Sequence, residues 1–311
     1  MKRQSDAIIT AGSSTAVSAR EVRLLRIAGR PVGHTLFGDP GARTGLVYLH
    51  GFPGSCLEPA LLSERLRSER LGLLALDRPG YGKTRVRSGD AGDPAITARL
   101  VASLVAHYGW KRYAILAVSG AGTASVAALA DPDPRLAGCL FLSVFPPTFV
   151  AAPRPDAGIL RLHRDLLRRV PGFVRIEARL IAGHFGRRPA RLRERLIRLL
   201  PSPDREALSD PRLGGALEAS WARGLCGGGG RGLVVDFAHF LRPLAPPPAP
   251  SFPCLSVHGS RDRVVPPELQ DHLLRALPFV SRVRWPEAGH FSWADSRLEE
   301  ILAVLRSWLS G

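Results

Sequence analysis

The sequence predicts an α/β fold: a mostly parallel sheet flanked by helices and interrupted by a helical insertion. Short apolar runs alternate with helix-length segments along most of the chain. That rhythm calls for parallel pairing through right-handed crossovers, with both faces of the sheet covered. The alternation stops between residues 146 and 249, where helical patterns predominate between prolines at 146–147 and a proline-rich run at 246–250. A chain of 311 residues, 45 % of them hydrophobic, can bury a large core.

Residues 1–20 carry Lys2, Arg3 and Arg20 around an apolar patch only four residues long, at 7–10. That patch is too short for a secretory leader, so a frayed N-terminal extension of a cytoplasmic protein is expected. No apolar run reaches the roughly 18–20 residues of a membrane span. Runs at 21–27 and 32–37 make a hairpin at the start of the sheet, and Gly38-Asp39-Pro40-Gly41 supplies the next turn. Strands are expected at 46–49, 71–76, 113–118, 139–144, 252–257 and 280–285. Helices are expected at 56–70, 94–108, 122–130, 267–277 and 295–309. The core is therefore assigned to 21–145 and 250–311, and a helical cap or lid to 146–249. The cap's helices fall at 157–169, 174–184, 190–200 and roughly 212–225, and four consecutive glycines at 227–230 read as a flexible break.

The formal charge of +16 invites a nucleic-acid reading. Only Lys2, Lys83 and Lys111 are lysines, however, and the arginines are spread over the whole length, whereas a binding patch would be concentrated on one element. The densest basic run, 187–195, sits on an amphipathic helix with Leu192, Leu196 and Leu199 opposite, and reads as a solvated face. No specific nucleic acid and no membrane are expected as partners. An apolar face of the insertion could pair with a second copy, leaving a homodimer open. Cys56, Cys139, Cys226 and Cys254 lack the spacing of a zinc site or a disulfide framework, and no metal is expected.

Acyl transfer needs an activated nucleophile, a proton carrier, a group orienting that carrier, and donors for the developing oxyanion. Ser119 directly follows the strand at 113–118 and precedes Gly120-Ala121-Gly122, a sharp small-residue turn that can open a helix. Such a turn crowds the positions two before and two after the serine, where Ala117 and Ala121 stand. Asp262 lies just past the strand at 252–257, in His258-Gly259-Ser260-Arg261-Asp262, and could equally be a turn residue before Pro266. His290 follows the strand at 280–285 and the turn Pro286-Glu287-Ala288-Gly289. One helix and one strand separate Asp262 from His290, so both can reach the same end of the sheet. Serine, acid and histidine in that chain order distinguish a nucleophile elbow from other serine triads. The backbone N–H groups of Phe52, in His50-Gly51-Phe52-Pro53, and of Gly120 are the candidate oxyanion donors. Gly51, Val118, Phe145, Phe291 and Trp293 are candidate substrate-pocket residues, though each could instead be ordinary core. Asp77-Arg78-Pro79-Gly80-Tyr81-Gly82 is expected to shape the loop beside the site.

Together, His50-Gly51-Phe52-Pro53-Gly54-Ser55, Asp77-Arg78-Pro79-Gly80-Tyr81-Gly82, Val118-Ser119-Gly120-Ala121-Gly122, Asp262 with Val265-Pro266, and Gly289-His290 resemble the α/β-hydrolase superfamily. The resemblance covers about 21–145 and 250–311; the interval between matches no recognisable pattern. It implies an eight-stranded, mostly parallel sheet and an acyl-enzyme mechanism without a cofactor, acting on a small-molecule acyl substrate. Ala117 and Ala121 depart from the family's usual glycines by two methyl groups. Ser119 argues against epoxide hydrolases and haloalkane dehalogenases, which use aspartate at the elbow. Phe52 stands where proline iminopeptidases have a second glycine. A serine hydrolase of a small to medium, apolar ester or thioester is the leading expectation. Perhydrolase or haloperoxidase-like activity, C–C hydrolysis, and a ligand-binding member without turnover are the alternatives.

Overall fold

The structure, a computed structural model, describes residues 22–150, 165–166, 169–294 and 297–310. Its strands are β1 (Arg23–Ile27), β2 (Arg30–Gly38), β3 (Thr44–Leu49), β4 (Gly72–Leu76), β5 (Arg112–Val118), β6 (Leu136–Leu142), β7 (Thr148–Phe149), β8 (Pro243–Leu244), β9 (Cys254–Gly259) and β10 (Ser281–Trp285). Eight form one sheet in the order β1-β2-β4-β3-β5-β6-β9-β10. Strand β2 is antiparallel to both of its neighbours, β1 and β4, and every pair from β4 to β10 in that order is parallel. The strands agree with the sequence reading to within a few residues. The expected extension 1–20 lies outside the described residues.

Alternate residues of the central strands feed two core layers. Val47, Leu74, Ile115 and Phe141 face one layer, under α2 (Ile96–His107) and α3 (Gly122–Ala128). Leu46, Leu73, Leu116 and Leu140 face the other, under α1 (Ser63–Ser68) and the C-terminal helix at Leu298–Leu309. Beyond Thr44 and Arg112 at their starts these strands carry almost no polar residue, because neither face meets water, as parallel sheets require. The chain passes from β3 to β4 on one side and returns to place β5 on the other side of β3. Such a reversal opens a crevice at the carboxyl ends of the strands, where ligands bind in open α/β sheets.

Among the described residues between β7 and β8 are the helices α4 (Pro171–Phe185), α5 (Pro189–Leu199), α6 (Ser202–Ser209), α7 (Pro211–Gly228) and α8 (Arg231–Leu241). The sheet is completed by α9 (Glu268–Ala276) and α10, the helix at Leu298–Leu309. The sequence reading lacks α6 and α8, and most of its helix at 157–169 falls outside the described residues. It also lacks the parallel pairing of β7 with β8, which joins the two ends of the insert. Two-residue strands, one of them beginning with proline, give no period to detect. The segment expected as a single helix at 56–70 is a 3₁₀ turn, Glu58–Leu62, followed by α1, with non-helical backbone at Pro59.

The glycines at 227–230 are not a loose break. Gly227 and Gly228 end α7, and Gly229 and Gly230 make a left-handed turn into α8. A side chain on Gly224, Gly227 or Gly228 would strike the carbonyl oxygens of Gly54, Gly82 and Gly80 respectively. The absent side chains let α7 lie directly on the loops that follow β3 and β4.

Leu116 is fully buried in a central strand. Leu116→Ala is expected to cost about 2–5 kcal/mol through lost transfer energy and the cavity left behind, read as a lower urea midpoint.

Candidate active site

Ser119 sits where β5 ends and a 3₁₀ turn, Ser119–Ala121, leads into α3. Its φ of +50° places a non-glycine residue in the left-handed region, a conformation costing about 1–3 kcal/mol and held only by surrounding packing. Ala117 and Ala121 are fully buried on either side, so the elbow forms with both additional methyl groups in place. Phe145 N–H donates to Ser119 O at 2.8 Å, and a side chain on Gly122 would strike the Phe145 carbonyl. The end of β6 thus braces the turn.

The register of β3 against β5 pairs Leu49 with Ala117, which lays His50-Gly51-Phe52 beside Val118-Ser119-Gly120. A Cβ on Gly51 would lie 3.0 Å from Ser119 Cβ. One on Gly120 would lie 3.1 Å from Phe52 N and 2.8 Å from the Phe52 ring. Phe52 N–H has no acceptor among the described residues, leaving a backbone donor beside the elbow.

Asp262 and His290 lie beyond β9 and β10. His290 Nδ1 donates to Asp262 Oδ2 at 2.8 Å. The other carboxylate oxygen accepts from Val264 N–H (2.9 Å) and Val265 N–H (2.8 Å). His258 Nε2 donates to Val265 O at 2.8 Å and lies 3.4 Å from Asp262 Oδ2. Burial alone would push the Asp262 carboxyl up, but the charge and hydrogen bond of His290, with His258 and Val265 N–H, hold it below its ordinary value. Burial would lower His290; Asp262 overrides this, aided by Asp204 and Glu58, so the imidazole lies above its ordinary 6.5. With Nδ1 committed to Asp262, Nε2 is the nitrogen left for proton exchange. No hydrogen bond joins His290 to Ser119 among the described residues.

A second polar group shapes the loop after β3. His50 Nδ1 donates to Gly51 O at 2.6 Å and its Nε2 accepts from Arg78 N–H at 3.0 Å. Burial and the Arg78 charge push this imidazole well below its usual range, so it is neutral. The Arg78 guanidinium donates to His50 O (3.0 Å) and Gly51 O (3.2 Å), and forms a fork on Asp236 of α8, with Oδ2 at 2.8 Å. Tyr81 Oη–H donates to the same Oδ2 at 2.6 Å. Arg223 of α7 pairs with Asp77 at 2.6 Å. Glu58 accepts from Tyr48 Oη–H at 2.8 Å, Gly51 N–H at 3.4 Å and Ser220 Oγ–H of α7 at 3.3 Å; burial raises its carboxyl.

The expected pocket residues separate into different surroundings. Phe145 packs against Phe240 of α8 with ring centroids 4.7 Å apart. Phe52, 38 % exposed, faces Phe237 (6.3 Å) and Phe240 (6.0 Å). Phe291 joins Leu213, Leu217 and Trp221 of the insert in one apolar cluster. Gly51 abuts the elbow, whereas Val118 and Trp293 are buried in the core layer with Tyr48. Sequence reasoning missed Glu58, Asp204, Phe237 and Phe240. Phe237 and Phe240 share one face of a helix at i, i+3 spacing, a signal that was present; the two acids gave none. Among the described residues, no group of three or more His, Cys, Asp or Glu could hold a metal ion, and no helix is long and apolar enough to cross a membrane.

The Alpha/beta hydrolase family matches the chain over residues 46–304. The chain belongs to that family. Solved structures agree on the fold. An esterase, RhEst1, from Rhodococcus sp. ECU1013 is 21 % identical with a TM-score of 0.62, covering 94 % of this chain and 99 % of its own. The esterase EaEST from Exiguobacterium antarcticum is 16 % identical, with a TM-score of 0.66 and coverage of 93 % and 99 %. A bromoperoxidase from Bacillus anthracis is 15 % identical, with a TM-score of 0.58 and coverage of 93 % and 100 %. A search of curated proteins finds no match.

Arg78→Ala leaves the Asp236 carboxylate buried without its cation and is expected to destabilise the fold by about 3–5 kcal/mol. Arg78→Met combined with Asp236→Leu recovers part of that loss. Urea unfolding of the single and double variants checks both.

Proposed function

We propose that this chain is a serine hydrolase in which Ser119, His290 and Asp262 act as a triad, through an acyl-enzyme. Its substrate would be a small to medium apolar ester, thioester or related acyl compound. The observation that carries this reading is the 2.8 Å His290–Asp262 bond at the sheet end that also presents Ser119 on a left-handed elbow. The fixed Nδ1–H tautomer turns Nε2 into the base. As Ser119 Oγ bonds to the acyl carbon, its proton passes to Nε2 and the carbonyl π electrons move to oxygen. Phe52 N–H and Gly120 N–H stabilise that oxyanion; losing one such donor typically costs about 10²–10³ in rate. Collapse of the intermediate breaks the acyl–oxygen or acyl–sulfur bond, and Nε2 returns the proton to the leaving group. Water then repeats the sequence on the acyl-enzyme.

The insert serves as a cap in this reading. Phe237 and Phe240 join Phe52 and Phe145 in an aromatic wall suited to an apolar acyl chain. The unmade Ser119–His290 hydrogen bond is the one feature that favours a ligand-binding member without turnover. Catalytic hydrogen bonds that are long in free enzymes commonly close in the complex, which weakens that second reading.

A fluorophosphonate probe is expected to label the protein and not Ser119→Ala; equal labelling of the two would refute the assignment. Because the base must be neutral and the His290 pKa is raised, kcat/KM for p-nitrophenyl esters should rise with pH through a midpoint above 6.5. Asp262→Asn should lower turnover by about 10⁴-fold, the loss seen when the imidazole is left in the wrong tautomer.

A further inference from the structure

Asp204 of α6 is fully buried beside the segment that carries His290. Its Oδ1 accepts from Phe291 N–H at 2.8 Å; burial raises its carboxyl above the ordinary value, against which the Phe291 and His290 backbone N–H groups and the His290 charge favour the ionised form. Its Oδ2, equally buried, has no hydrogen-bond partner. The residue before His290 is glycine, and a side chain there would collide with both carboxylate oxygens, Oδ2 at 2.5 Å. Gly289 therefore makes room for this one group from the insert.

Arginine is abundant in this chain, yet none is paired with Asp204 among the described residues. Buried carboxylates are ordinarily matched by a cation or several donors, because an isolated one is strongly disfavoured. Asp77, Asp90 and Asp236 follow that rule, each paired with an arginine. Asp204 does not. The cationic form available to it is the imidazolium of His290, with which it interacts.

We propose that Asp204 is a positioning residue for His290. From the insert, it fixes the 290–291 backbone and places a second buried carboxylate beside the imidazole that Asp262 already holds. This deepens the hydrolase reading and rests on it for the role of His290. The site is thereby complete only when the insert is seated, since one of the groups supporting the imidazolium belongs to α6. Asp262 and His258 beyond β9, Glu58 in the 3₁₀ turn after β3, and Asp204 from α6 are the titratable groups acting around this ring.

The test is the titration of His290 by NMR on protein carrying ring-labelled histidine, compared between wild type and Asp204→Asn. The amide keeps an oxygen acceptor for Phe291 N–H and removes the charge. The His290 midpoint is expected to fall by about one pH unit, the order produced by losing one nearby opposite charge. The acid limb of kcat/KM should move down with it, and kcat should fall more than KM rises. Asp204→Ser is the second neutral variant, used if Asp204→Asn does not fold. An unchanged His290 midpoint in either folded variant overturns the proposal, as does a loss of thermal stability with no change in titration. The titration reads out whether or not Ser119 takes the fluorophosphonate label, so failure of this inference is distinct from failure of the triad.

Discussion

The Arg78 guanidinium is the point at which the sheet, the loop beside Ser119 and the insert are held together. It binds the His50 and Gly51 carbonyls on one side and the Asp236 carboxylate of α8 on the other. Phe52 N–H can stand beside Gly120 only while the His50–Gly51 backbone keeps its path, and that path has no regular secondary structure to fix it. A planar fork of five donors suits such a task where a lysine would not, because it fixes direction as well as charge. The geometry of the donor loop thus depends on an ion pair whose acid lies roughly 160 residues further along the chain.

The charges inside this protein obey a different logic from those outside. The net +16 comes mostly from exposed arginines whose exact places matter little to stability. Inside, Arg30–Asp90, Arg78–Asp236 and Arg223–Asp77 are matched pairs, two of which bind the insert to the loop after β4. Against that background the acids without an arginine stand apart. Asp262 holds the His290 imidazole, Asp204 accepts from the Phe291 N–H next to it, and Glu58 acts on the ring from the loop after β3. Where charge is structural it is neutralised on the spot, and where it bears on His290 it is left for the ring to answer.

Much of this was legible before any coordinates. The apolar runs located the strands of the main sheet, most plainly at its centre, where burial on both faces leaves apolar residues in continuous blocks. Ser119, Asp262 and His290 follow β5, β9 and β10 along the chain, and it is that position after a strand, rather than any local motif, that singles them out in the sequence. The insert was harder to read. The helix α8 follows four glycines that look like a chain break, and only the carbonyls of Gly80 and Gly82 reveal why side chains are excluded there. Asp204 is one acid among many in the sequence, and its meaning comes from proximity to Gly289, which no local pattern encodes. Trp293 reads like a pocket wall in sequence and packs against Tyr48 in the core, since an aromatic next to a loop at the sheet end can face either way.

The pairing of Thr148–Phe149 with Pro243–Leu244 has an evolutionary reading. It closes the base of the insert, so both of its ends leave the sheet at neighbouring points. Whatever lies above that clasp can lengthen, shorten or diverge without disturbing the spacing of β6 and β9. Change confined to that segment therefore leaves the sheet end that carries Ser119, Asp262 and His290 in place.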